Sequence, residues 1–82
     1  MMTKNMLKDK FEEARNTNKD IAVELTVPTR TATEIIIVKN DNIDYKLNYY
    51  LDNYNDNLEL SRFTEIKILN VYLVNWDENK LM

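Results

Sequence analysis

Histidine, cysteine and glycine are all missing from this 82-residue sequence, and each absence removes a class of chemistry. Histidine is the side chain that ordinarily exchanges a proton near neutral pH, so the usual general acid–base is gone. Without cysteine there is no thiol nucleophile, no soft metal ligand and no disulfide scaffold. Without glycine the Walker and dinucleotide-binding loops cannot be written, because each needs a residue lacking Cβ where backbone approaches phosphate. Apolar runs such as Ile35 to Val38 are far shorter than the roughly 20 residues of a membrane span. Met1 to Lys10 carries charges where a signal peptide would have its apolar stretch. These absences point away from an enzyme and from a membrane, and towards a cytoplasmic binding protein that needs no cofactor.

What is present is ordinary for a globular chain. Hydrophobic residues make up 44% and charged residues 30%, richer in apolar side chains than a disordered segment. At this length one domain is expected over 1–82, burying roughly 60 to 65% of its unfolded surface. The net charge is −3 and the isoelectric point 4.8. Lys4, Lys8, Lys10, Arg15 and Lys19 make the first segment mildly basic and the remainder acidic. No segment clusters the Lys/Arg surface that direct nucleic-acid binding requires.

The pattern predicts an α+β fold in the order α-β-β-α-β. Met2, Met6, Leu7, Phe11 and Ala14 share one helical face up to about Arg15, with Thr3 as N-cap. Asn16 or Asn18 is expected to take the left-handed conformation that glycine usually supplies at a helix end. The charges outside the apolar stripe, Lys4, Lys8, Lys10 and Arg15 with Asp9, Glu12 and Glu13, are spaced to pair along the helix surface. Ile21, Val23, Leu25 and Val27 alternate with Ala22, Glu24 and Thr26 as a strand with one wet face. Pro28 to Thr31 turns the chain into a second strand near Ala32. There Ile35, Ile36, Ile37 and Val38 suggest burial on both faces, at the centre of the core.

Asn40-Asp41 is read as the cap of a second helix, with Asp44 in its first turn and Ile43, Leu47, Tyr50, Leu51 and Tyr54 facing inward. Leu58 to Leu60 is a candidate short extra strand. The last strand spans about Glu65 to Asn75, and its apolar phase changes between Ile68 and Leu69. Burial of both faces is the preferred explanation; a bulge near Leu69-Asn70 is the alternative. The expected sheet is mixed and three-stranded. A right-handed crossover sets the second and last strands parallel, adjacent or with the first strand between them. Both helices can cover one face, which leaves the second face to helix 1 or to another molecule. Trp76, Leu81 and Met82 are candidates to dock from a tail at 76–82 that otherwise frays.

The most concentrated chemical feature is the second helix with its exit. Its carboxylates Asp41, Asp44, Asp52, Asp56 and Glu59 stand against Lys46, among Tyr45, Tyr49, Tyr50 and Tyr54. Tyrosine is enriched at interface hot spots, and carboxylates complement a basic partner. The partner-binding candidates are therefore Asp44, Tyr45, Tyr49, Asp52, Asp56 and Glu59; the plainer alternative makes these charges ordinary solvation. Asp52 and Asp56, four apart, would share a helical face able to hold a hard cation. The EF-hand spacing fails, however, with Asn57 at its glycine position and Phe63 at its closing glutamate. No metal ligand, catalytic residue or nucleophile is assigned.

Tyr45 to Leu60, followed by Ile66-Lys67-Ile68, resembles small accessory proteins of Firmicute prophages and plasmids over the C-terminal half of the chain. The resemblance rests on a tyrosine-rich helix leading into a strand and carries over no functional residue. It implies a protein that binds and inhibits or redirects a host protein, such as a defence nuclease or other nucleic-acid-handling protein. The alternatives are a self-assembling structural protein, for which a homodimer is open, and a metal-assisted hydrolase using Asp52 and Asp56.

Overall fold

Thr3 starts the first helix as its hydroxyl accepts from the Met6 amide at 3.2 Å, and α1 runs over Lys4–Asn16. A computed structural model describes residues 2–28 and 32–74 of the chain. Within them follow β1 (Asp20–Leu25), β2 (Glu34–Val38), a single 3-10 turn (Asn40–Asn42), α2 (Ile43–Asn53), β3 (Glu59–Leu60) and β4 (Phe63–Val74). The fold is α+β, as expected, with the 58–60 segment supplying the short extra strand. The predicted turn at 29–31 and the docking of Trp76, Leu81 and Met82 lie outside the described residues.

Two expectations about the sheet change. It has four strands in the order β2-β1-β4-β3, and all three neighbouring pairs are antiparallel, so it is not mixed. β2 and β4 do run parallel, with β1 between them, as one of the two crossover arrangements requires. The isoleucine-rich β2 is therefore an edge strand and β1 the central one. Only Val38 of β2 is buried, while Ile35 is 53% exposed.

β4 resolves its change of phase through a bulge. Glu24 faces Asn70 but Leu25 faces Ile68, so Leu69 is the extra residue and is exposed. Ile68 on one side of it and Val71 on the other then both face the core. The preferred burial of both faces is overturned, because a bulge keeps one continuous inner face without a second covering layer. Asn70 Oδ1 accepts from the Val71 amide at 2.9 Å beside the bulge.

Both helices pack on that inner face. Leu7, Phe11 and Ala14 of α1 join Ile43, Leu47 and Tyr50 of α2 and Ile21, Val23, Leu25, Val38, Ile68 and Val71 of the sheet in one cluster. Register places Ile35, Ile37, Ala22 and Tyr72 on the opposite face. No described helix covers it, and Ala22 is buried there between Ile37 and Tyr72.

Connections made without glycine rely on asparagine. Asn18 takes φ 56° after α1. Asn40 does not cap α2, whose N-cap Asn42 makes no side-chain capping bond. Instead Asn40 Nδ2 donates to the carbonyls of Ala14 (3.1 Å) and Lys19 (2.8 Å), and its amide donates to Asp20 Oδ1 at 2.8 Å. One side chain thus ties the end of α1 and the start of β1 to the approach to α2. Asn40→Ala is expected to lower stability by about 1–2 kcal/mol, as the partly buried Ala14 carbonyl and the exposed Lys19 carbonyl lose their donor; a urea midpoint shift checks this. The α1 charges also act between elements, not along the helix. Lys4 Nζ donates to the Leu51 carbonyl at 3.1 Å, and Arg15 pairs with Asp44 at 2.6 Å. Among the described residues no ion pair runs along α1.

Candidate functional site

The turns of α2 sort its residues by side. Ile43, Leu47 and Tyr50 point inward, so at about 100° per residue Asp44, Tyr45, Asn48, Tyr49 and Asp52 occupy the outer arc. All five are exposed. Tyr45 is 69% exposed and Tyr49 40%. Of the six sequence-derived candidates, the helix brings Tyr45, Tyr49 and Asp52 onto one side, with Asp44 at its margin, engaged with Arg15.

The other two are placed differently. α2 ends at Asn53 and Tyr54 is already extended, so Asp56 belongs to the following loop and does not share a helical face with Asp52. The physical cause is Asn55, whose Oδ1 accepts from the amides of Asn57 (2.9 Å) and Glu59 (3.0 Å) and so offers the backbone a turn in place of another helical one. Glu59 lies half-buried in β3, and its Oε1 accepts from Asn55 Nδ2 at 3.1 Å. Its carboxylate braces the loop. Among the described residues no group of three or more carboxylates could hold a metal ion, and no helix is long and apolar enough to cross a membrane.

Tyr49 is the best-positioned member of the arc. Its ring meets the buried Tyr50 edge-on at a centroid distance of 5.4 Å, and Lys46 Nζ stands 5.3 Å from its centroid. The Tyr49 carbonyl accepts from Asn53 Nδ2 at 2.8 Å. Packing and a cation thus hold the ring while two-fifths of the residue stays open to solvent.

Tyr49 also forms one wall of a groove of about 360 Å³ shared with Asn53, Leu60, Arg62 and Phe63. The β3–β4 hairpin supplies the far wall. Leu60 pairs with Phe63 across the Ser61-Arg62 turn, and the Ser61 amide donates to the Asn53 carbonyl at 2.9 Å, fastening the turn to the end of α2. Phe63 is 47% exposed. Sequence reasoning missed Phe63 and Arg62, since only the fold brings a residue of β4 beside α2; an aromatic residue just after a two-residue turn was the one available signal. The resulting surface runs from Tyr45 through Tyr49 to Phe63, with Asp52 on the helical side and Arg62 on the hairpin. Comparison with protein-family models, with curated proteins and with solved structures found no match.

Proposed function

We propose that the chain is a non-enzymatic, acidic protein-binding module. In this reading it acts in the cytoplasm as a mobile-element accessory protein that binds and inhibits or redirects a host protein through a basic surface. The observation that carries the reading is the row of exposed aromatics Tyr45, Tyr49 and Phe63 beside Asp52. Aromatics with few rotatable bonds lose little entropy when a partner covers them, and Tyr49 is already held in place. A nearby carboxylate adds orientation and speed of encounter with a basic surface more than affinity.

Affinity capture from bacterial lysate tests this reading. Tyr49→Ala with Asp52→Lys is expected to weaken the main captured interaction by about tenfold or more, in the range of a hot-spot loss. Retention of every captured protein at wild-type levels by a folded double variant would contradict it. A second reading, self-assembly, is favoured by a separate observation: the sheet face bearing Ile35, Ile37 and Tyr72 has no described helix over it.

A further inference from the structure

We propose that two copies of this chain associate by antiparallel pairing of their β2 edges, joining two four-stranded sheets into one eight-stranded sheet. The inference rests on the self-assembly reading and specifies its interface. β2 is five residues long, and its register with β1 is regular, with no bulge. It contains no proline, and between Glu34 and Lys39 it carries no charge. Edge strands that stay single usually carry an inward charge, a proline or a bulge, and β2 has none of these between its ends.

The strand is also self-complementary. A two-fold axis perpendicular to the sheet at Ile36 sets Ile36 against the partner's Ile36, and Ile35 against the partner's Ile37. Ile35 and Ile37 share the uncovered face, so this register extends that apolar surface across the junction. Glu34 opens the strand and Lys39, which pairs with Asp20 of its own chain at 3.5 Å, follows its last residue, so antiparallel pairing adds an opposite charge near each of these already engaged ends. The opposite edge is covered in part: β3 pairs with β4 at Lys67 and Phe63, and no described strand lies beyond Asn70 to Val74 on that side. β3 has only two residues, and the Tyr54–Leu60 bridge and the Ser61 amide bond to Asn53 lie alongside it. Because β2 pairs with β2 about a two-fold axis, each copy's β2 edge is used up in the same isologous contact, and that contact closes at a dimer.

Sedimentation of the full chain over a wide concentration range, combined with single-cysteine cross-linking, tests this geometry. The absence of native cysteine makes each introduced thiol an unambiguous reporter. A reversible monomer–dimer equilibrium is expected. Ile35→Lys, at an exposed position, should weaken it by about tenfold or more. Facing residues on antiparallel strands lie about 4.5–5.5 Å apart at Cα, within disulfide range, so Ile36→Cys should form a disulfide dimer on oxidation and Tyr72→Cys should not. A dimer insensitive to Ile35→Lys that cross-links through Tyr72→Cys would overturn edge pairing while leaving self-assembly standing. A monomer at every concentration would overturn both, and leave the β2 edge for an extended segment of another protein.

Discussion

Replacing Tyr50 with alanine is expected to remove about 3–5 kcal/mol of stability, whereas Tyr50→Phe should leave the protein as stable or more stable. Tyr50 is 1% exposed and sits at the junction of both helices. Its ring meets Phe11, Tyr49 and Tyr54 edge-on at 6.0, 5.4 and 5.5 Å between centroids. A chain of this length has roughly 4–12 kcal/mol to lose, so the alanine variant should forfeit a large share of its stability. The phenylalanine variant keeps the packing and discards a buried hydroxyl that has no hydrogen-bond partner among the described residues. Such a group costs about 1–3 kcal/mol. Urea midpoints for the two variants check the pair, and a loss above about 1 kcal/mol in Tyr50→Phe would show that the hydroxyl is bonded after all.

The same residue sets an alkaline limit. Burial, and then the neighbouring Tyr54 and Tyr49, push the Tyr50 phenol well above its ordinary value of 10.0. Burial, and then Tyr49, raise Tyr54 as well. Because the unfolded chain releases these protons first, the stabilisation is complete below pH 10 and is lost progressively as pH rises beyond it. Tyr50→Phe should flatten that loss without abolishing it, since Tyr54 remains.

Leu58→Ala is expected to cost about 2–5 kcal/mol, and Leu58→Gly about 1 kcal/mol less than the alanine change, within the usual cost of a left-handed non-glycine residue. Glycine normally weakens a fold relative to alanine. Here the order reverses because Leu58 holds φ 60° while its side chain is fully buried. The surroundings enforce the conformation. The Leu58 amide donates to the Asn55 carbonyl, and the Leu58 carbonyl accepts from the Ile68 amide, each at 2.9 Å. Paired thermal melts of the two variants give the sign directly; a glycine variant less stable than the alanine one would show that the left-handed turn is not strained.

Leu58 also marks where local reading of the chain stops. The first helix, its Thr3 cap and a left-handed asparagine after it were legible because each follows from neighbours within one turn, and the structure places that conformation at Asn18 rather than Asn16. The edge position of β2 was not, since Ile35 to Val38 has the composition of a buried strand and only pairing between distant segments decides which strand lies outside. At Leu69 both explanations of the changed phase were visible, and strand register, a non-local property, selected the bulge. The candidate surface divides in the same way. Tyr45, Tyr49 and Asp52 share a side because helical geometry requires it, whereas Asp56 left the helix with the Asn55 turn. Phe63 and Arg62 joined the surface only through the hairpin.

Recognition through that surface is best tested by amide chemical-shift mapping of the isotope-labelled chain, titrated with the main partner that affinity capture identifies. The largest changes are expected at Tyr45, Tyr49, Asp52, Arg62 and Phe63, with Ile35 and Tyr72 unaffected. Changes confined to β2 and the uncovered sheet face, with the α2 arc silent, would contradict the proposed mode of recognition.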